Sequence, residues 1–179
     1  MSLKKRNFAN SIPFSIFNLQ FSIFFMVLLT EIRKDVDKDM LPLFDKAAEI
    51  ALRAHQGQTD KAGKPYIGHV TRVSSRCHTS SAKVVALLHD VLEDTDTTPE
   101  DLLQQGFPQD IIDCLQLMTR QDGQDYEEYV RRLSANPVCR EVKIADLEDN
   151  MDIRRLPSLK ERDLLRIQKY HKAWKFLTT

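Results

Sequence analysis

Hydrophobic and polar positions repeat at helical spacing along most of the chain. From Asp39 to Ala54 apolar residues return every three or four positions, with charged residues between them. Further stretches of this kind are separated by short segments with glycine or proline. The pattern predicts helices over 39–55, 69–76, 81–92, 99–105, 108–118, 126–133, 137–151 and 158–177. Because no segment alternates as a half-buried strand does, we expect an all-α, compact helical bundle.

The N-terminus departs from this amphipathic pattern. A basic tripeptide, KKR, precedes the apolar stretch IPFSIFNLQFSIFFMVLL, an order typical of signal peptides. Polar residues interrupt the stretch, it falls short of the roughly 20 apolar residues that span a membrane, and no cleavage site follows it. It is either an upstream extension, with the functional start at Met26 or Met40, or a helix that binds a membrane or a partner. We therefore divide the chain into an N-terminal extension, 1–36, and a functional domain, 37–179.

Composition and charge narrow the class of protein. The chain is 42% hydrophobic and 29% charged, which is typical of a soluble globular protein. Its 26 basic and 26 acidic residues balance, so no overall positive field attracts nucleic acid or an acidic membrane. The three cysteines form no CxxC pair, which argues against a disulfide scaffold or a zinc knuckle and favours the reducing cytoplasm. The sequence carries no indication of an oligomeric state.

Polar groups concentrate unexpectedly in the segment ALLHDVLEDTD. In one continuous helix, positions four apart lie about 40° apart around the axis, so His89 aligns with Glu93 and Asp90 with Asp94. Carboxylates this close repel one another unless a cation or a shared proton offsets them. Imidazole beside carboxylate is a common donor set for Mn²⁺, Fe²⁺ or Zn²⁺. The pattern indicates a metal site, with a solvated helix end as the alternative.

Two other segments carry polar residues in apolar surroundings. His55 closes the first amphipathic helix, where a histidine often only complements the helix dipole. In VKIADLEDN, Asp146 and Asn150 stand four apart among apolar residues, although a lone aspartate in such a helix is usually at the surface. Together with the His-Asp pair, these residues favour one shared site.

These segments resemble a known family. His55, the His89-Asp90 pair and Asp146 resemble the H…HD…D signature of HD-domain metal-dependent phosphohydrolases, an all-α superfamily. The segments AHQGQTDKAGKPYIGH, LLHDVLEDTDTTPEDL, GFPQDIIDCLQLMTR and VKIADLEDNMD are similar to the hydrolase domain of RelA/SpoT-type guanosine tetra- and pentaphosphate enzymes and their small stand-alone relatives. The resemblance runs from about Asp45 to Arg155 and implies an HD-domain helical bundle.

The resemblance implies one divalent metal ion, usually Mn²⁺, with Fe²⁺ or Zn²⁺ as alternatives. The implied ligands are His55, His89, Asp90 and Asp146. Positions left open on a six-coordinate ion would hold a phosphoryl oxygen and a water whose pKa the metal lowers. Glu93 and Asp94 match the acidic pair to which the family assigns acid and base catalysis.

Substrate contacts are also implied by the resemblance. The candidates for binding the nucleotide and its phosphates are Lys61, Lys64, Tyr66, Arg120, Lys143 and Asn150. Asn150 is alternatively a residue that orients a metal ligand. His69 is similar to a structural histidine of the family, so we expect it to hydrogen-bond in the core and not to bind metal. Arg154 and Arg155 are as readily surface charges as phosphate contacts.

The chain departs from the family pattern at two positions. Val70 stands where the family often has proline after PYxxH. Asp152 stands two residues after Asn150, where the guanosine hydrolases tend to have a basic residue. The second departure lies near the expected pocket and bears on nucleotide specificity.

The expected function is a metal-dependent 3′-pyrophosphohydrolase. Its substrate would be guanosine tetra- or pentaphosphate, the nucleotides of the stringent response, converted to GDP or GTP and pyrophosphate. Since no synthetase, TGS or ACT segment follows within 179 residues, we expect hydrolysis without synthesis. The alternatives are a nucleotidase acting on another nucleotide and a non-catalytic nucleotide-binding module. The expected partner is a nucleotide, with no nucleic acid and with no membrane beyond the N-terminal segment.

Overall fold

A computed structural model describes residues 16–179, with side chains from residue 25 onward. Its helices are α1 (Ile16–Lys34), α2 (Leu41–Ala54), α3 (Ile67–Arg76), α4 (Ser80–Leu88), α5 (Val91–Asp94), α6 (Pro99–Gln104), α7 (Gln109–Met118), α8 (Tyr126–Ser134), α9 (Pro137–Met151) and α10 (Glu161–Thr178), with a 3-10 turn at Ile153–Arg155. In this described part there is no strand, only an isolated bridge between Thr59 and Pro65. The prediction of an all-α fold is confirmed.

The core is built around α4 and α9. Helix α4 has the sequence SSAKVVALL, and its residues Ser80 and Ala82 through Leu88 are buried. A helix that is apolar on every side must be covered on every side. Helix α4 accordingly contacts α2, α3, α7 and α9, and α9 also carries α8 and α10 on its outer side. The segment after α4 and the C-terminal half of α9 therefore start from fixed positions.

The prediction of one helix over 81–92 is wrong, because α4 ends at Leu88 and α5 begins at Val91. His89 Nδ1 donates to the Ala86 carbonyl at 2.8 Å, a local bond in which a side chain competes with the helical pattern. A helical bond from Asp94 N to Asp90 O, 2.9 Å long, then forms the single turn of α5. The alignment of His89 with Glu93, argued from a continuous helix, therefore does not apply.

The other predicted helices agree with the structure to within a few residues. Helix α9 has the predicted bounds. Thr98 begins α6 with a capping box in which Thr98 Oγ1 accepts from Asp101 N, which explains why that helix starts at Pro99. Asn136 caps α9 by accepting from Val138 N and Cys139 N.

The N-terminal stretch forms part of the fold where it is described. Helix α1 packs on α3 and α2, and Phe25, Ile32 and the following Val36 are buried. The basic tripeptide lies outside the described residues. No helix in the described part of the chain is long and apolar enough to cross a membrane. The division at residue 36 stays a prediction.

Candidate metal centre

Two buried histidines each leave one ring nitrogen available. His55 Nδ1 lies 2.8 Å from the Gln58 side-chain oxygen, and His89 Nδ1 lies 2.8 Å from the Ala86 carbonyl. Both acceptors are oxygens, so Nδ1 carries the proton and Nε2 of a neutral ring has a free lone pair. Both Nε2 atoms are buried: that of His55 has no hydrogen-bond partner in the described part of the chain, and that of His89 faces carboxylates only. An orphaned imidazole nitrogen whose other nitrogen is fixed is the arrangement of a metal ligand.

Two carboxylates lie beside these histidines. Asp90 Oδ2 is 3.0 Å from His89 Nε2, and Asp146 Oδ1 is 3.8 Å from the same nitrogen. The ligand atoms of His69, His89 and Asp90 lie within 4.8 Å of one another. Nitrogen and carboxylate oxygen donors at this spacing suit a divalent transition metal. The cluster could therefore hold a metal ion.

The four predicted metal ligands come from three parts of the fold. His55 follows α2, His89 and Asp90 connect α4 to α5, and Asp146 lies in α9. His55 is tied to the cluster through Tyr66, whose ring centre is 5.0 Å from its own. These positions are compatible with a shared site, and the ligand roles stay predictions.

Burial and neighbouring charges shift the pKa values of the residues in this cluster. Burial alone would raise the pKa of Asp90, but the neighbouring His89 cation outweighs it and holds the pKa of Asp90 below its usual range. Burial lowers the pKa of His55, which keeps that ring neutral. Burial also lowers the pKa of His89, but the Asp90 and Asp146 carboxylates outweigh it and raise that pKa. The two carboxylates thus favour a cation between them, either a proton or a metal ion.

His69 contacts this cluster directly, although we predicted only a structural role for it. Its Nδ1 donates to Asp149 Oδ2 at 2.8 Å, the core hydrogen bond that we predicted for it. Its Nε2 is 3.3 Å from Asp146 Oδ1 and 3.8 Å from Asp90 Oδ2. His69 thus contacts two predicted metal ligands, and its exclusion from metal binding stays a prediction.

Asp149 is a hub that the sequence analysis did not identify. Its fully buried carboxylate accepts from His69 and pairs with Arg72, Arg76 and Arg155 at 2.8, 2.8 and 3.1 Å. Burial would raise its pKa, but the hydrogen bonds from His69 and Arg72 outweigh burial and lower it. A sequence signal existed, since Arg72 and Arg76 stand four apart on α3.

Arg155 and Arg154 have different surroundings. Arg155 pairs with Asp60 at 2.9 Å, which ties the loop before α3 to the 3-10 turn after α9, so it is not a simple surface charge. Arg154 is exposed and pairs with Asp152 at 2.7 Å, as a surface arginine would.

The two predicted catalytic acids, Glu93 and Asp94, have different surroundings in the structure. Glu93 lines the cavity beside the cluster, and its Oε2 lies 3.5 Å from the Arg120 backbone nitrogen. Partial desolvation and the Asp90 charge raise the pKa of Glu93. Asp94 is exposed, at the end of α5, and is not among the cavity-lining residues. Glu93 is the better placed of the two for proton transfer.

Most predicted substrate residues line one cavity of about 550 Å³: Lys61, Tyr66, Arg120, Lys143 and Asn150. Three of these hold the carboxylates. The Tyr66 hydroxyl donates to Asp90 at 2.6 Å. The Asp146 carboxylate accepts from Lys143 at 2.9 Å and from Asn150 at 2.6 Å. Lys64 lies outside the lining.

Other cavity residues were missing from the sequence analysis. Helix α10 contributes Arg166, Lys169 and Tyr170, and α8 contributes Tyr126 and Tyr129. Arg166 and Tyr170 are four apart, a spacing that marks one helix face. That signal could have been found, but α10 lies beyond the segments that carry the family resemblance.

The chain is similar in sequence to enzymes of guanosine tetraphosphate metabolism. It is 34% identical over 135 residues to the guanosine-3′,5′-bis(diphosphate) 3′-pyrophosphohydrolase of Haemophilus influenzae, a match that covers 67% of this chain and 20% of that protein. It is 33% identical over 91 residues to the bifunctional (p)ppGpp synthase/hydrolase SpoT of Escherichia coli, covering 48% and 12%. The chain thus spans about a fifth or less of the length of these curated relatives. No family model matches it.

A solved structure shares the fold. It comes from a metazoan ortholog of SpoT that is described as hydrolysing ppGpp and as having a role in starvation responses. The TM-score is 0.61 at 23% identity, over 75% of this chain and 84% of the other. With the sequence matches, this confirms that the chain resembles the HD-type hydrolase domain of RelA/SpoT enzymes.

Proposed function

We propose that the protein is a divalent-metal-dependent phosphohydrolase that removes pyrophosphate from the 3′ position of guanosine tetra- or pentaphosphate. The observation that carries this proposal is the buried Nε2 atom of His89 beside the Asp90 and Asp146 carboxylates, together with the buried Nε2 atom of His55, which has no hydrogen-bond partner among the described residues. The names of the relatives supply the substrate class. The free, buried cysteines fit a reducing cytoplasm.

The residues that would hold the metal are His55, His89, Asp90 and Asp146, with Mn²⁺ as the preferred ion. When bound, such a metal supplies charge neutralisation for a phosphoryl group and lowers the pKa of a water molecule. Tyr66 holds Asp90, whereas Lys143 and Asn150 hold Asp146. These contacts orient the carboxylates before any ion arrives, which reduces the reorganisation needed on binding.

Glu93 is the candidate for proton transfer. Its raised pKa keeps a proton on the carboxyl at higher pH than in a free glutamate, as a general acid requires. A proton given by this carboxyl to the departing ribose oxygen would neutralise the charge that develops there. Asp94, one residue further on, is the second member of the proposed acidic pair.

A second candidate function follows from Asp152. Its carboxylate lines the cavity where the guanosine hydrolases tend to have a basic residue, and it repels phosphate. A nucleotidase acting on a different nucleotide would use the same metal cluster with different contacts at this position.

The test is release of pyrophosphate from guanosine tetraphosphate by the purified protein with Mn²⁺. Nucleoside mono-, di- and triphosphates run in parallel, with a chelator as control. We expect metal-dependent release from the tetraphosphate and little from the others. Phosphate release from the other nucleotides alone would instead support the nucleotidase.

Replacement of Glu93 and Asp94 together separates an enzyme from a non-catalytic binding module. We expect the double variant to bind metal and nucleotide while losing turnover. Binding without turnover in the unmodified protein would contradict the enzyme and favour the module.

A further inference from the structure

Two of the three cysteines lie side by side in the core, outside the cavity. Cys114 of α7 and Cys139 of α9 are 3% and 0% exposed, and both are free thiols. The Cys139 thiol donates to the Cys114 carbonyl at 3.6 Å, and the two thiols hydrogen-bond one another. Neither cysteine is among the residues that line the cavity beside the candidate metal centre. The proposed function therefore gives this pair no role.

Asn136 fixes the positions of both cysteines. Its side-chain oxygen accepts from the Cys114 thiol at 3.4 Å and from the Cys139 backbone nitrogen at 3.1 Å. The same oxygen caps α9, so the start of that helix determines where Cys139 lies. A disulfide needs the two sulfurs to approach to about 2.05 Å. Thiols that already contact one another can reach this separation by side-chain rotation, without movement of either helix.

The hydrogen bond between the thiols makes them chemically different. It lowers the pKa of Cys114, although burial acts in the opposite direction. It raises the pKa of Cys139, which donates the proton. Because the thiolate is the form that attacks an oxidant, Cys114 is the cysteine of this pair that reacts first.

Cys77 provides an internal comparison. It is 1% exposed, so it is as well buried as the pair. Its thiol donates to the Val73 carbonyl at 3.4 Å, and burial raises its pKa to about 12. In the described chain it has no hydrogen bond to another cysteine. Cys77 thus has the burial of the pair without a neighbouring thiol.

We propose that Cys114 and Cys139 are a modification site, at which hydrogen peroxide forms a reversible disulfide between α7 and α9. The Cys114 thiolate attacks one peroxide oxygen, the O–O bond breaks, and the departing hydroxide is protonated to water, which leaves a sulfenic acid. The Cys139 thiolate then attacks the Cys114 sulfur, the S–O bond breaks, and a second water leaves. The two thiols lose two electrons and two protons, and one peroxide is reduced to two waters.

The disulfide would hold α7 against the helix that carries Asp146 and Asn150. It closes a loop that contains α8, and closing a loop reduces the conformational entropy of the unfolded chain. A link that fits the native packing therefore stabilises the folded protein. A thiol reductant reverses it, as expected of a transient disulfide in a reducing compartment.

The test exposes the folded full chain with Mn²⁺ to hydrogen peroxide, alkylates the remaining thiols in denaturant and digests the protein with trypsin. Trypsin separates the cysteines, because Cys77, Cys114 and Cys139 fall in the segments 77–83, 84–120 and 133–140. We expect mass spectrometry to show 84–120 linked to 133–140, with Cys77 alkylated. Dithiothreitol should release both thiols.

Thermal unfolding measures the effect on stability. The Tm of the oxidised protein should be about 5 to 10 °C higher than that of the reduced protein, the size expected when a native-like disulfide closes a loop of this length. A Tm that stays the same or falls would show that the bond does not fit the native packing, and would overturn the stabilisation.

Two variants separate the pair from burial alone. Cys77→Ala removes an equally buried thiol and should leave the linked peptide and the rise in Tm unchanged. Cys114→Ala should abolish both, and Cys139→Ala gives a second variant with the same expectation. Circular dichroism establishes that the variants are folded.

Three results would overturn the site. They are a link that involves Cys77, oxidation of Cys114 to the sulfinic acid while Cys139 stays a thiol, and three unmodified thiols after treatment. Oxidation in urea should give mixed links, and the same selectivity there would assign the link to closeness in sequence and not to packing. Since no nucleotide and no turnover enter these measurements, their outcome is independent of the proposed function.

Discussion

The charged side chains at the two ends of the cavity are neutralised to different extents. At the candidate metal centre, Asp90 and Asp146 are held by hydrogen bonds from Tyr66, Lys143 and Asn150. At the end lined by α8 and α10, Lys169 lies over the Tyr126 and Tyr170 rings and forms no ion pair within the described residues. The first end is assembled before a ligand arrives, whereas the second depends on a ligand for neutralisation.

This difference separates stability from selectivity. Buried carboxylates need partners for the fold to be stable, so their surroundings are fixed by folding. Partly exposed cations are tolerated without partners because water screens them. Changes at the candidate metal centre should therefore affect metal binding, chemistry and folding, and changes at the α10 end of the cavity should affect mainly ligand affinity.

The largest effect is expected from His89→Ala. Removal of an imidazole that faces both carboxylates should abolish tight Mn²⁺ binding, and turnover should fall on the order of a thousandfold or more. Calorimetric titration with Mn²⁺ and metal analysis of the purified variant measure the first effect. His171→Ala, on the outer part of α10, is the control. Full metal occupancy in His89→Ala would refute the ligand assignment.

Glu93→Gln should lower kcat by about 10² to 10⁴, the usual contribution of a general acid or base. Metal and GDP affinity should stay close to those of the unmodified protein, since the amide preserves shape. Steady-state kinetics beside binding measurements separate the two quantities. A normal kcat in this variant would show that Glu93 does not transfer a proton in the reaction.

Asp149→Asn tests how much the ion pairs of Asp149 contribute to the free energy of unfolding. Loss of the carboxylate leaves Arg72, Arg76 and Arg155 without their shared counter-charge, so the free energy of unfolding should fall by about 3 to 5 kcal/mol. Asp45→Asn, which breaks an exposed pair with Arg33, should cost at most about 1 kcal/mol. Urea unfolding of both variants measures this difference. Equal losses of unfolding free energy would contradict the central role of Asp149 in the ion-pair network.

The pH dependence of stability provides a second measurement on Asp149. Its pKa is lower in the folded than in the unfolded protein, so its stabilisation is complete above an unfolded value of about 3.9. That stabilisation is lost as pH falls toward the folded pKa. The difference in stability between the unmodified protein and Asp149→Asn should therefore shrink on going from about pH 7 to about pH 3. A difference independent of pH would assign the loss to packing.

The smallest effect is expected at Asp152. Asp152→Asn removes a negative charge from the cavity lining and retains a side chain that can cap the 3-10 turn. GDP affinity should rise by only about two- to threefold, because Arg154 already pairs with the Asp152 carboxylate and offsets its charge. Titrations at low and high salt check this, and a weaker affinity would show that Asp152 supports the pocket.

The sequence predicted the helices more completely than the cavity, and its assignment of the metal ligands stays a prediction. Helical periodicity located α9 to the residue, because its cap and its proline are local signals. The break at His89 was missed because a hydrogen bond from its ring to Ala86 outweighs the apolar pattern. Arg166 and Lys169 could not be assigned, since only the packing of α10 on α9 brings them beside residues far away in sequence.

The hydrogen bond between Tyr66 and Asp90 links a loop to a predicted metal ligand. The same loop contributes Lys61 to the cavity and is tied by Asp60 to Arg155. A nucleotide that reorders this loop would alter the hold on Asp90 and so the affinity for the ion. Thermodynamic reciprocity then requires the ion to alter the affinity for the nucleotide by the same factor. In a protein that binds both, the concentration of the metal ion would thus shift the nucleotide concentration needed for binding.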